Sequence, residues 1–247
     1  MVSYDFSGKR YIVTGASSGI GRSVAIALSN SGGIVILAGR NENELEETRK
    51  RMQGDGHVIL VADFSQEDIA AEEFLSCACS DGKKLDGLVY SAGIPSVLPI
   101  NSITRDRIDE CMSVNTYAFL ELVRQMIRRR YRAERMSIVA ISSIAAVQPE
   151  KCQTLYAMSK AALNVAVQAM AMELAGKNIR INSVCPGATQ TRMSDKMLEK
   201  GTVVNLDRQL LGMLSPEQIA SCVLFLLSDM SSAMTGRVLL ADGGRLL

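Results

Sequence analysis

Apolar residues in this chain fall into short runs separated by longer stretches in which they recur every three or four positions. The runs Arg10–Thr14, Ile34–Ala38, Val58–Ala62, Gly87–Tyr90, Ser137–Ser142, Ile179–Val184 and Val238–Ala241 read as strands. Helical periodicity predicts helices over Gly19–Ser31, Asn43–Gln53, Glu67–Cys77, Arg105–Tyr131, Thr154–Ala175 and Pro216–Leu227. Strands that alternate with helices need crossover connections, and these produce a parallel sheet. Right-handed crossovers then give an open α/β sheet with helices on both faces. No Pro/Gly/Ser linker, internal repeat or low-complexity tract divides the sequence, so residues 1–247 read as one domain.

Composition narrows the function classes. The formal net charge is +1, which gives no bulk attraction for nucleic acid or an acidic membrane. Trp is absent and aromatics make up 4% of the chain, too few for a base-stacking platform. Arg128–Arg130 is the main basic cluster and reads as a solvated helix terminus. Cys77 and Cys79 form a C-x-C, but no second pair completes a metal site and His57 is the only histidine, so no metal is expected. Scattered thiols in a chain of this size suggest a reducing compartment. The N-terminus lacks a signal-peptide core, and no run of about 18 apolar residues appears. The expected location is cytoplasmic, with neither a membrane nor a nucleic-acid partner.

The first strand runs directly into Thr14-Gly15-Ala16-Ser17-Ser18-Gly19-Ile20-Gly21 and then a helix. Gly15 suits a tight turn, while Gly19 and Gly21 leave room for a pyrophosphate and for close helix packing. The helix N-terminus aims amide donors at such an anion. The second strand ends in Gly39-Arg40, without the acidic residue that binds the ribose 2′-hydroxyl of NAD. Arg40 can fork onto a 2′-phosphate, which favours NADPH over NADH; alternatively it simply opens the next loop. Asp63, after the third strand, either accepts the adenine amino group or caps the next helix beside Ser65 and Asp68.

Ser143 follows the fifth strand, Tyr156 comes thirteen residues later, and Lys160 stands one helical turn beyond it on the same face. A neighbouring ammonium is expected to lower the phenol pKa and make Tyr156 a general acid near neutral pH. Ser143 can donate to the same developing oxyanion.

Taken together, these residues resemble the short-chain dehydrogenase/reductase family over essentially the whole chain. Thr14–Gly21 matches the T-G-x-x-x-G-x-G motif, and Ser143, Tyr156 and Lys160 match the catalytic set. Asn115 matches the helix Asn, and Pro186-Gly187-Ala188-Thr189-Gln190-Thr191-Arg192-Met193 matches P-G-x-x-x-T-x-M. The tail Thr235-Gly236-Arg237 through Ala241-Asp242-Gly243-Gly244 also fits. The resemblance implies a seven-stranded, doubly wound Rossmann-type sheet and a hydride transfer between NADPH and a carbonyl. It assigns proton transfer to Tyr156, orientation of the carbonyl to Ser143, ribose binding and tuning of Tyr156 to Lys160, and a water relay to Asn115. Cofactor contacts are implied for Gly15, Ser17, Ser18, Gly19, Ile20, Gly21, Arg40, Asp63, Ser91, Ala92, Gly93, Pro186, Gly187, Thr189 and Thr191, the last at the carboxamide. A substrate lid is implied at about 188–214, with Met193, Met197, Leu198, Val203, Val204, Leu206 and Leu210 giving it apolar character, and Asp195, Lys196 and Glu199 suiting an exposed helix.

Two features depart from the pattern. Ser91-Ala92-Gly93 stands where the family has N-A-G, and Ser18 stands where some NADPH-dependent members carry a basic residue. The chain looks most like 3-oxoacyl-[acyl-carrier-protein] reductases, with a small or carrier-bound carbonyl as substrate. Sugar and polyol dehydrogenases of the same family are close alternatives, and a non-catalytic NADP(H)-binding regulator is the alternative of another class. A homodimer or homotetramer through the helices over 105–131 and 154–175 is implied, with Ala161, Ala162, Val165, Ala166 and Ala169 allowing close approach.

Overall fold

The computed structural model describes residues 4–65, 71–199, 206 and 208–247. Seven strands form one sheet in the order β3-β2-β1-β4-β5-β6-β7. They are β1 (Arg10–Thr14), β2 (Ile34–Gly39), β3 (Val58–Val61), β4 (Leu85–Tyr90), β5 (Arg132–Ile141), β6 (Ile179–Pro186) and β7 (Val238–Ala241). Every neighbouring pair is parallel. The helices are α1 (Gly19–Asn30), α2 (Glu42–Arg49), α3 (Ala71–Ala78), α4 (Arg105–Met112), α5 (Ala118–Met126), α6 (Thr154–Leu174), α7 (Arg192–Glu199) and α8 (Pro216–Leu227).

Because strand side chains alternate between faces, the inner strands β1, β2, β4, β5 and β6 each feed two cores. Ile12, Ile36, Leu88, Tyr90, Ile138 and Ile181 pack with residues of α3, α5 and α6 on one face. Tyr11, Val13, Leu37, Val89, Val139 and Val184 pack with residues of α1, α2 and α8 on the other. The sheet is covered on both sides, which is why its strands read as apolar runs. Strand order reverses between β1 and β4, so the loops leaving their C-terminal ends diverge and open a crevice there.

The helix expected over 105–131 is broken. α4 and α5 are separated by a π-helical turn at Ser113–Tyr117, and α5 ends at Met126. β5 begins at Arg132, five residues before the expected Ser137. A π turn inserts one residue into the helical register, which apolar spacing does not reveal. Arg128 and Arg130 pair with Glu72 on α3, at 3.3 and 2.5 Å, so the basic cluster closes onto a neighbouring helix. The helix expected from Glu67 begins, among the described residues, at Ala71; Asp68 lies outside them. α8 starts as its sequence predicts: Ser215 and Gln218 form a reciprocal capping box with Pro216 in the first turn. Among the described residues, no helix is long and apolar enough to cross a membrane.

Candidate active site

The turn between β1 and α1 is shaped by what its glycines lack. Gly15 has φ +64°, and a Cβ there would lie 2.7 Å from the Ser91 carbonyl oxygen. Gly19 has φ +53° and faces the Thr191 side chain, 3.2 Å from where its Cβ would be. Gly21 packs against the backbone of Gly15, drawing α1 onto the end of β1. Ser18 precedes α1 without a side-chain cap, so the leading amides of the helix are left to a ligand. Arg22 braces the turn from behind, donating to the Ser17 carbonyl, to Thr48 Oγ1 (3.0 Å) and to Glu44 Oε2 (2.7 Å).

The β4 side of the crevice is tied to β1 through Thr14. Its buried hydroxyl accepts from the amides of Ser91 and Ala92, each at 3.0 Å. The link between the two central strands therefore comes from Thr14 and the backbone, whatever side chain stands at position 91.

Gly39 leaves clearance beside Ser17: its nearest neighbours would stand 3.5 and 3.6 Å from a Cβ. Arg40 is exposed just before α2. Asp63 Oδ1 accepts from the Ser65 amide (3.0 Å) and hydroxyl (2.8 Å), so that oxygen closes a local turn. Burial works to raise the Asp63 pKa, but the two Ser65 bonds and the charge of Arg40 together hold it below its ordinary value.

α6 places Tyr156 and Lys160 one turn apart, and the Lys160 ammonium lies 5.9 Å from the centre of the Tyr156 ring. Lys160 Nζ donates to the Ile141 carbonyl at 2.9 Å. Ser143 hydrogen-bonds the Tyr156 side chain, and its Oγ also accepts from the Ala145 amide at 3.1 Å. The titration differs from the sequence expectation. Burial raises the Tyr156 phenol to about 12, with the Ser143 bond offsetting part of the rise. Burial likewise brings Lys160 down to about 8. In this state the ammonium is directed at a backbone carbonyl, and burial sets the direction of both shifts.

Asn115 sits in the π turn, fully buried. Its Oδ1 accepts from the Ile94 amide (2.8 Å), and its Nδ2 donates to the Ile94 carbonyl (3.1 Å) and to Ser159 Oγ (2.9 Å). Ser159 donates in turn to the Tyr156 carbonyl at 2.7 Å. Asn115 thus fastens the loop after β4 to the helix that carries Tyr156. A Cβ on Gly93 would stand 3.2 Å from Asn115 Oδ1 and 3.3 Å from Lys160 Nζ, so this glycine lets the two side chains approach the loop.

The segment after β6 closes the crevice. Gly187 extends the β6–β7 pairing through its amide to Ala241, and Thr189 Oγ1 donates to the Gly187 carbonyl at 3.0 Å. Thr191 and Ser194 exchange hydrogen bonds at the start of α7. Arg192 reaches across to Glu44 Oε1 at 2.9 Å, joining the start of α7 to α2. Gln209, which sequence reasoning missed, is buried and holds both the amide and the carbonyl of Ala188. Of the expected lid residues, Val203 and Val204 lie outside the described residues, as do the side chains of Lys196, Met197, Leu198 and Glu199. Met193 lines the cleft and Leu210 is exposed.

These elements enclose a cavity of about 310 Å³. Gly15, Ser18, Gly19, Ile20, Ser91, Ala92 and Gly93 line one side; Ser143, Tyr156 and Lys160 another; Pro186, Gly187, Thr189 and Thr191 a third. Ser17, Gly21, Arg40, Asp63 and Asn115 stand behind or beyond this lining. Sequence reasoning also missed Ser96, Gln148, Glu150, Gln153 and Arg245, which line the cavity outside the motifs. A glycine turn that any Cβ would obstruct, followed by helix amides without a side-chain cap, fits a dinucleotide phosphate.

A family model described as enoyl-(acyl carrier protein) reductase matches residues 15–245. The L-xylulose reductase of Caenorhabditis elegans is 38% identical, over 98% of this chain and 97% of its own length. The 3-oxoacyl-[acyl-carrier-protein] reductase FabG of Thermotoga maritima is 32% identical, over 96% and 97%. Among solved structures, a 3-oxoacyl (acyl-carrier-protein) reductase from Agrobacterium tumefaciens C58 with NADP bound superposes with a TM-score of 0.86 at 26% identity, covering 97% of this chain and 95% of that one. With the parallel seven-stranded sheet and the Ser143–Tyr156–Lys160 cleft in place, these matches establish that the chain belongs to the short-chain dehydrogenase/reductase family of oxidoreductases, acting on CH–OH and C=O groups.

Proposed function

We propose that the protein reduces a carbonyl compound with NADPH, or oxidises the alcohol in reverse. The observation that carries this reading is the meeting of Ser143, Tyr156 and Lys160 in a cleft whose opposite wall is the glycine turn. The turn from Gly15 to Gly21, with Ser17, Ser18 and Ile20, holds the cofactor phosphates. Gly39 and Arg40 accept the 2′-phosphate, and Asp63 borders the adenine. Ser91, Ala92 and Gly93 flank the ribose, with Pro186, Gly187, Thr189 and Thr191 on the nicotinamide side. When bound, the reduced nicotinamide supplies the hydride.

The remaining work falls to the chain. Ser143 donates to the carbonyl oxygen and orients it. A phenol near 12 keeps its proton at neutral pH and delivers it only to an oxygen that is becoming an alkoxide. Lys160 stabilises the phenolate left behind, and Asn115 holds the loop and helix in register. Replacing Tyr156 with Phe removes the proton donor and should lower NADPH oxidation, followed at 340 nm, by about 10³-fold or more while NADPH binding persists. An active Phe variant would remove Tyr156 from the mechanism. Arg40→Ala should weaken NADPH binding by about tenfold or more and NADH binding far less, since only NADPH carries the charge that Arg40 meets. Equal losses would dismiss that role.

A 3-oxoacyl thioester and a ketose are the two substrate classes in view, and the relatives named above include a reductase of each kind. The polar groups at the outer end of the cleft favour the second. A non-catalytic NADP(H)-binding regulator would bind NADPH yet oxidise it with no carbonyl in a panel of β-ketoacyl thioesters, diketones and ketoses. The protein works as a homodimer or homotetramer.

A further inference from the structure

The cleft is completed by three segments outside the recognised motifs: the segment after β4, the loop between Ser143 and α6, and the last turn of the chain. Gln148, Glu150 and Gln153 line it from the loop, Arg245 from the chain end, and Ser96 from the segment after β4. The side chain of Arg245 is only 8% exposed, and its guanidinium meets the carboxylate of Glu150, which remains 35% exposed.

Both partners are held in place. Asp242 accepts from the amides of Gly244 (3.1 Å) and Leu246 (2.9 Å). Gly243 and Gly244 adopt φ +63° and +82°, which fold the tail back toward the cleft. On the other side, Gln153 Oε1 accepts from the Glu150 amide at 3.1 Å and fixes the loop. The pair is therefore a constructed part of the cavity wall.

A guanidinium and a carboxylate in contact cancel each other's net charge but keep directional donors and acceptors. Resting on the carbonyl-reductase reading above, we infer that Glu150 and Arg245 are specificity-determining residues that select a neutral, hydroxylated ketone, such as a ketose, over a long acyl chain or an anionic ketone. Substrate hydroxyls replace the water that covers the exposed face of Glu150. A hydrocarbon chain displaces that water and offers nothing in return, leaving polar groups desolvated. A substrate carboxylate meets Glu150 as a like charge, while the guanidinium is already engaged with Glu150. Pro95, Val97 and Met193 supply apolar contact for the carbon skeleton.

The test compares kcat/KM with NADPH for a ketopentose, butanedione, acetoacetate and a long-chain 3-oxoacyl thioester. The wild type should prefer the ketopentose to the thioester. Glu150→Gln keeps the shape but removes the negative charge, so the acetoacetate-to-ketopentose ratio should rise about tenfold. Arg245→Met should lower the ketopentose-to-butanedione ratio by a similar factor, with ketopentose binding to the NADP⁺ form weakening in parallel by calorimetry. Ratios constant within about twofold would make the pair purely structural and overturn the inference, as would a wild-type preference for the thioester. If no carbonyl in the panel oxidises NADPH, the reductase reading itself fails, and that result is distinct from a reductase whose ratios do not move.

Discussion

At the scale of single residues, the buried ammonium of Lys160 makes a measurable demand on the fold. Its pKa lies near 8 in the folded protein against an ordinary value of 10.5. Between those two values the unfolded chain binds more protons than the folded one, so raising the pH through that window stabilises the native state. Below pH 8 both states are protonated and the full penalty persists. Tyr156 contributes in the opposite sense, but only above pH 10, because its folded pKa of about 12 exceeds its ordinary 10. Urea unfolding of the ligand-free protein should therefore show the wild type gaining about 1–2 kcal/mol relative to Lys160→Met between pH 8 and pH 9.5. Parallel stability curves for the two proteins would mean that burial does not depress this lysine. The identity of the pair was legible from Tyr-x-x-x-Lys spacing, but its titration was not. The sign of a pKa shift depends on how desolvation compares with Coulomb attraction, and the Ile141 carbonyl that receives the ammonium lies 19 residues away in sequence.

At the scale of elements, all seven strands were readable: burial on both faces leaves an apolar run at the inner strands, and the edge strands β3 and β7 are apolar although only partly buried. The break between α4 and α5 was not, since a π turn leaves composition and approximate spacing intact while placing Asn115 against Ile94 and Ser159, behind the cleft lining. The substitution of Ser91 for the family Asn has a similar resolution. The tie between the central strands runs from the Thr14 hydroxyl to the backbone amides of Ser91 and Ala92, so it does not depend on which side chain stands at position 91. Thr14→Val preserves volume and strand propensity but leaves those amides without their acceptor in a buried setting. It should cost about 2–4 kcal/mol in urea unfolding and weaken NADPH binding, with Thr14→Ser restoring most of both. A Val variant as stable as wild type would show that the central strands need no such tie.

At the scale of the whole molecule, the candidate site draws on residues from Gly15 to Arg245, nearly the full length of the chain. Motifs named the residues near the strand ends. Glu150 and Arg245 went unread because neither falls in a motif, and only the tertiary fold brings together two positions 95 residues apart. The same scale governs assembly. Met158, Val165 and Met172 recur at seven-residue spacing along α6, and they are 45%, 63% and 81% exposed. A stripe with that repeat runs along one side of a helix. Tyr117 and Leu120 add exposed apolar surface where α5 begins, beside α6. Apolar side chains aligned in this way gain by facing a second copy, and the small residues Ala162, Ala166 and Ala169 permit close helix approach. A two-fold contact repeats each residue on both subunits, so a single Val165→Asp substitution places two like charges in one interface. Multi-angle light scattering should find the wild type as a dimer or tetramer and shift the Asp variant to a smaller species, with a loss of affinity of about tenfold or more. Val165 faces away from the cleft lining, so NADPH binding should survive dissociation; a wild type that is monomeric at micromolar concentration would leave this stripe without the role argued for it.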